Sequence, residues 1–467
     1  MVVGRTSDVL RPSEVCNETL LSLFDACSTA VKEAVKNGAN DAEAYGVKSK
    51  ESEVIIENND LKQSKSHEIS SLGIRVLVGS SQGFSSVNVL EKKRIIESVV
   101  LAIKLARASP PDNFNSMPHK TAKMGLLKKI YDKGALDFGL PDNLRMAKEM
   151  LLTARSYDNR VSKDSGNFTS ALLTHTVLNS CGINLTENIS LFSWSLMGMA
   201  VTSDEVSNFD SQIGCSHFVK DIDVISTAKE FARAVTSYLG PRNVDSFRGE
   251  VLLSPSAFTE LVQEAIAHSI NSNNVQKRAS KFKEYISRPV STDLLSVEDD
   301  ATNVDALGAS SFDREGVAHQ RNVIIHKGIL RGFIYDTYTS NKDGLKSTGN
   351  AGGSPKYPPI VSTTNIIVSA GTSKLETLVS EIQKGIILNR FSGTVNPIDG
   401  DFSGVVKGGY FVKNGNIICP VKDLMVAGNI FEALKNLTGV SKETKSLPDS
   451  ILPHTRFSNI SFTANKR

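Results

Sequence analysis

The chain is 467 residues long, too long for one compact core, and the usual size of domains predicts two or three. Its 53 lysines and arginines stand against 50 aspartates and glutamates without any basic run, so the charge carries no nucleic-acid or membrane-surface footprint. Five cysteines (Cys16, Cys27, Cys181, Cys215, Cys419) lie far apart and never as Cys-x-x-Cys, which fits reduced thiols and argues against a cysteine-only metal site.

The opening "MVVGRTSDVLRPSEVCNETLL" holds no apolar run of signal-peptide length, and no window of the chain reaches a membrane span. A soluble, cytoplasmic protein is expected, and Asn-x-Ser/Thr matches at Asn17 and Asn184 are then chance occurrences. Leu20, Leu21, Phe24, Cys27, Val31 and Val35 predict an amphipathic helix from Glu18 to Val35, stopped at Asn37-Gly38. Four strands are predicted next, in "AEAYGV", "EVIIEN", "SLGIRVLVG" and "GFSSVNVL", before Ile95, Ile96, Val99, Val100 and Ile103 restore helical period. The connector "ASPPDNFNSMPHKTAK" reads as a surface loop, followed by a helix around Asn143 to Tyr157.

Long extended stretches, "ALLTHTVLNS" and "ISLFSWSLMGMAV", flank a turn at Cys181-Gly182 and predict a broad antiparallel hairpin. A helix from Ile222 to Tyr238 ends at "LGPRNVDSFRG", where glycine, proline and charge cluster and a domain boundary is expected. The predicted class is α+β. Residues 1–243 form an antiparallel sheet with helices, and residues 244–467 a β-rich domain, a mixed or barrel-like sheet with two or three helices. Within it, Ser373 and Glu376 predict a capping box for a helix closed by Gly385.

One helix carries the chemistry. In "LSPSAFTELVQEAIAHSI", Ser254 caps, Pro255 opens the first turn, and Phe258, Leu261, Val262, Ala265 and Ile266 share an apolar face. Glu264 and His268 lie four apart on the more polar face, with Gln263 beside them. A metallopeptidase helix needs imidazoles to hold zinc, an open position for water and a carboxylate to take its proton; here one Glu and one His are present. Taken alone, Glu264 and His268 read first as an ordinary i, i+4 surface pair. His319 and His326, an odd number of residues apart, would point to opposite faces of one continuous strand and not converge on a metal.

Farther on, Gly316 and Gly328 read as turns of a meander, "STGNAGGSP" as a flexible connection, and Asn414-Gly415 as a hairpin turn. Gly400, Gly404, Gly408 and Gly409 allow close backbone approach, and neither GxxxxGK[ST] nor GxGxxG is present to make a phosphate loop.

The blocks "VLLSPSAFTELV", "SSFDREGVAHQRNVIIHKGILRGFIYDTYTSNKDGLKSTGNAG", "GDFSGVVKGGYFVKNGNIICPV" and "LMVAGNIFEALKNLTGV" together resemble the TldD/PmbA family of metallopeptidase-related proteins, also described as modulators of DNA gyrase. "SSLGIRVLVGSSQGFSSVNVL" extends the likeness to the first half. The resemblance implies that a TldD-type helix carries HExxxH, with a further cysteine ligand near the C-terminus. On that motif Gln263 takes the first His position, Glu264 the Glu and His268 the second His; Cys419 lies within the predicted hairpin, and "SLPDSILPHTRFSNISF" has no cysteine. The segment therefore resembles the zinc-less PmbA branch, also called TldE, with no metal or cofactor expected in this chain. It implies a non-catalytic subunit of a two-component cytoplasmic metallopeptidase, heterodimeric with a zinc-bearing TldD-like partner and acting on unfolded peptides, or a homodimer. Two alternatives stay open: a self-sufficient hydrolase using Glu264, His268 and a ligand such as His319 or His326, and a homodimeric peptide-binding regulator.

Overall fold

The computed structural model describes residues 20–119 and 125–464. Cys16, Asn17, Glu18 and the connector's last four residues, 120–123, lie outside them. The first half begins with α1 (Leu23–Lys36), β1 (Asp41–Glu57), β2 (Asp60–Val78), β3 (Ser81–Val87) and α2 (Lys92–Ala108). After the connector come α3 (Leu140–Tyr157), β4 (Val161–Asn179), β5 (Asn184–Ala200), β6 (Asp210–Ser216) and α4 (Val224–Ser237). The six strands form one antiparallel sheet in the order β3-β2-β1-β4-β5-β6.

Two expectations are corrected here. "AEAYGV" and "EVIIEN" are one strand, β1, because the polar stretch between them stays hydrogen-bonded to β2 on one side and β4 on the other. Side-chain polarity does not end a strand whose backbone is paired on both edges. The first helix also buries a different face. Leu23, Ala26, Cys27, Ala30 and Ala34 are inside, while Leu20, Phe24 and Val35 are exposed. Small residues let α1 sit close to the sheet, and Gly46 of β1 leaves room for Leu23.

Strand alternation sorts the sheet's two faces. Ala42, Ala44, Val54, Ile56, Ile74, Phe168 and Trp194 pack under the helices, α1 and α2 at one end, α3 and α4 at the other. Glu43, Tyr45, Arg75, His175 and Glu187, one residue out of phase, turn to the opposite face, where the second half of the chain covers them.

That second half starts with β7 (Phe247–Leu253) and a continuous helix: α5 (Pro255–Phe258), a π-helical turn (Thr259–Gln263) and α6 (Glu264–Ile270). Next are α7 (Ser272–Gln276), β8 (Val297–Asp300), β9 (Arg321–His326), β10 (Ile329–Leu330), α8 (Thr337–Asp343), β11 (Ala351–Gly352), β12 (Ile360–Val361), β13 (Ile366–Val368) and α9 (Leu375–Ser380). The chain closes with β14 (Lys384–Val395), β15 (Asp401–Lys413), β16 (Asn416–Pro420), β17 (Leu424–Asn429), α10 (Ile430–Lys435), β18 (Leu437–Leu447) and β19 (Ser450–Ala464). Because β19 pairs with both β17 and β7, the strands β7, β14, β15, β17 and β19 close into a five-stranded barrel within a larger mixed sheet. The α+β class and the barrel-like second half are as the sequence predicts, with more short helices than two or three.

The turns follow their residues. Asn414 and Gly415 join β15 to β16 at φ 49° and 73°, the left-handed pair a two-residue hairpin needs. The capping box does not form. The N-cap position of α9 is Lys374, the Leu375 N–H donates to the Glu443 carboxylate, Ser373 bridges Ser441, and Gly385 lies inside β14. "STGNAGGSP" is fixed rather than loose: Asn350 is buried and donates to Asp299 at 2.5 Å, and Thr348 and Ser347 bond to Tyr335. Among the described residues no helix is long and apolar enough to cross a membrane.

Leu261 and Val262 join Val251, Leu253, Leu388, Phe402, Val426 and Phe457 in one apolar cluster at the barrel. Leu261→Ala is expected to lower stability by about 2–5 kcal/mol, measured by urea unfolding; a loss under about half a kcal/mol would contradict this packing.

Candidate functional site

The helix from Ser254 to Ile270 is built as its sequence dictates. Ser254 Oγ accepts the Ala257 N–H at 3.1 Å, Pro255 occupies the first turn, and Phe258, Leu261, Val262, Ala265 and Ile266 are buried. The π-helical turn is the departure. Glu260 sits in it and its carboxylate accepts from Arg390 Nε at 2.5 Å and the Phe391 N–H at 2.6 Å, tying the turn to β14. Such turns are sites where a helix changes phase.

The three motif residues face different surroundings. Gln263 is buried, not on the polar face, and its Oε1 lies 3.4 Å from Thr259 Oγ1. Glu264 is exposed. His268 is half-buried; its Nδ1 has no hydrogen-bond partner among the described residues, and burial lowers its pKa against a smaller upward pull from Glu264. Positions five apart on an α-helix are separated by about 140° at 3.6 residues per turn. Gln263 and His268 therefore do not share a face in the α-helical stretch that follows the turn.

The other candidates do not join them. His319 precedes β9 instead of sharing a strand with His326, which ends β9 and is exposed. Cys419 is buried in β16, opposite Phe411. Among the described residues no group of three or more His, Cys, Asp or Glu is arranged to hold a metal ion. A zinc ion does not fit the side chains gathered at Gln263, Glu264 and His268.

Sequence reasoning missed two buried polar centres between the halves. In the first, Arg75 of β2 lies 2.7 Å from Glu43 and 2.7 Å from Glu315, and Arg314 stacks over Tyr45 while its Nη2 donates to Tyr357 O at 2.8 Å. Burial alone would lower the Arg75 pKa, but the two glutamates carry it above its ordinary value and hold the guanidinium charged. In the second, Glu187 of β5 accepts from Ser310 Oγ at 2.9 Å, from the Ser311 N–H at 3.0 Å and from Ser311 Oγ, and meets His175 Nε2 at 3.2 Å. Burial would raise this carboxyl, yet those hydrogen bonds leave it below the usual range. A signal was available: Arg75 sits between Ile74 and Val76, so if those two face the helices, the arginine faces away from them.

Two domain models span these elements: the PmbA/TldA metallopeptidase C-terminal domain over residues 246–464, and PmbA/TldA metallopeptidase domain 1 over residues 42–109. The chain belongs to the PmbA/TldD family. A PmbA homolog of Haemophilus influenzae is 25% identical over 93% of this chain and 95% of its own length. A TldD homolog of the same organism is 24% identical over 94% and 92%. The crystal structure of TldE from Thermococcus kodakarensis superposes with a TM-score of 0.86 at 20% identity, covering 94% of this chain and all of that one. A putative modulator of DNA gyrase from Thermotoga maritima gives the same TM-score at 21% identity. These structural likenesses establish the PmbA/TldD fold. Its two named branches match this member to nearly the same degree, so overall identity does not assign the branch.

His319 gives a pH test. Burial, helped by nearby His175, outweighs the upward pull of the Gly349 backbone and Glu187 and brings its imidazole down to about 4. A histidine held neutral in the fold contributes stability that is complete above its unfolded pKa, near 6.5, and is lost as pH falls toward 4. His319→Gln is expected to lose about 1–3 kcal/mol less than wild type between pH 6.5 and 4, read from melting curves at each pH. Parallel losses in both proteins would refute the assignment.

Proposed function

We propose that this chain is a zinc-less, TldE/PmbA-type subunit of a two-component cytoplasmic metallopeptidase whose TldD-like partner carries the metal and which degrades or trims unfolded peptides. The observation that carries this reading is Gln263. A glutamine stands at the first ligand position of the family motif, buried against Thr259 and out of phase with His268. An amide oxygen is a poor zinc donor, and no cysteine is present in the segment that supplies the further ligand in the metal-bearing branch. The family membership, with relatives named as metalloproteases, supports peptide hydrolysis as the activity of the assembly. A subunit without metal contributes by shaping the chamber and holding the substrate's main chain, which strand addition does without regard to sequence.

One observation favours a rival, a self-sufficient hydrolase: the unpartnered Nδ1 of His268 beside Glu264. Metal analysis separates the two. Purified alone, the chain is expected to hold well under one equivalent of zinc, and stoichiometric zinc on His268 would establish the rival. In a complex reconstituted with a TldD-like partner, Glu264→Gln should leave cleavage of a flexible peptide nearly unchanged, whereas the matching change in the partner's HExxxH helix should abolish it. A loss of orders of magnitude from Glu264→Gln, with assembly intact, would place the chemistry in this chain.

A further inference from the structure

A cleft of about 740 Å³ lies where the edge of the first sheet approaches the second half of the chain. No residue of the Ser254–Ile270 helix lines it. Its walls include two strand edges. β6 is the last strand of its sheet, and β18 pairs as a strand with β19 alone, Ser373 bridging it only at Ser441.

The registers say which backbone groups face the gap. At the β4–β5 turn the Asn179 N–H bonds to Ile183 O, so the odd-numbered residues of β5 bond to β4 and its even-numbered ones to β6. Phe192, Trp194 and Leu196 then take Ser216, Gly214 and Gln212, which leaves the N–H and C=O of Cys215 pointing away from β5. In the β18–β19 hairpin, Leu447 and Ser450 close a two-residue turn and form the first bonded pair, Lys445 and Leu452 the second. Pro453, which has no N–H, faces Thr444 at an unbonded position, as this phase requires. Thr444 and Ser446 therefore turn their backbone groups outward. Cys215, Thr444 and Ser446 all line the one cleft, and among the described residues no backbone hydrogen bond reaches their outward groups.

We propose that this cleft takes an extended polypeptide segment, which pairs through its main chain with the free edge of β18 at Thr444 and Ser446 and runs past Cys215 of β6. Open strand edges are templates for another strand, and a volume of this size admits a few residues of one. The side chains around it set no strong charge preference: two lysines, Lys129 and Lys220, and two aspartates, Asp221 and Asp305, line it. Lys445 donates to Gln212 Oε1 at 2.6 Å and ties β18 to β6 where the two strands approach. The proposal rests on the reading that the protein handles peptides, but it is independent of which subunit holds zinc.

The test uses the full chain alone and measures binding, not cleavage, so its failure leaves the metal assignment untouched. The probe is a short fluorescein-labelled peptide of alternating valine and serine, with a second version N-methylated on alternate amides. Anisotropy should show saturable binding of the first and at least tenfold weaker binding of the second. Ser446→Pro removes one outward N–H at a position that does not bond to β19, and should weaken binding about tenfold with little change in melting temperature. Cys215 gives a check that needs no variant. Burial and nearby Asp449 push its thiol up to about 11, slow enough to time its alkylation by iodoacetamide. Saturating peptide should slow that alkylation, mapped by mass spectrometry, and leave Cys181, outside the cleft, unaffected. Absence of saturation, equal binding of the N-methylated peptide, or unchanged Cys215 alkylation would each overturn the proposal.

Discussion

The face of the first sheet opposite its four helices carries charge, and that charge has to be covered. Glu43, Arg75, His175 and Glu187 are all buried there, and their partners Ser310, Ser311, Arg314 and Glu315 come from one short stretch of the second half. Isolated charges in such a place would cost several kcal/mol each, so the halves meet in the register that pairs them. The pairs themselves add little net stability, since well-packed apolar groups would serve as well; losing one partner costs about 3–5 kcal/mol. What they supply is a single way for two large surfaces to fit.

From this centre a continuous set of contacts runs to the motif helix. The Arg314 N–H donates to Ala351 O, Ala351 and Gly352 pair with Val361 and Ile360, and Val361 O accepts from the side chain of Asn271, the residue after α6. The sheet face at Gly73, paired on both sides within the sheet, lies against Pro355, close enough that a Cβ there would come within 2.6 Å of the Pro355 carbonyl oxygen. The segment around residues 347–355 is therefore a wall between the first sheet and the helix exit. These contacts fix position; they do not by themselves transmit a signal.

What could be read from sequence was local. Ser254 and Pro255 start their helix, and Asn414-Gly415 makes its turn, because a cap or a left-handed pair is decided within a few residues. The buried face of α1 could not be read from hydrophobicity: alanines win it through close approach, a property of the partner surface. The union of two predicted strands in β1 was hidden for a similar reason, since its polar middle is held by strands far away in sequence. The motif positions were legible by family resemblance, and the burial of Gln263 was not. The Glu187 and Arg75 centres needed tertiary contacts, although the alternation around Arg75 already hinted at its direction.

In the motif helix the winding of the backbone matters as well as the side chains. Its two histidine positions are five apart, and an α-helix sends such positions to different faces. A helix that uses both for one ion must wind more widely across the motif itself, as the i to i+5 bonding of a π-turn does. Here the wide turn covers Thr259–Gln263 and ends as the motif begins, held there by Glu260 through Arg390 and Phe391. From Glu264 onward the winding is α-helical, so Gln263 turns inward to Thr259 while His268 stays half-buried elsewhere. Backbone phase and side-chain identity thus point the same way. Glu260, a residue outside the motif, ties that turn to β14.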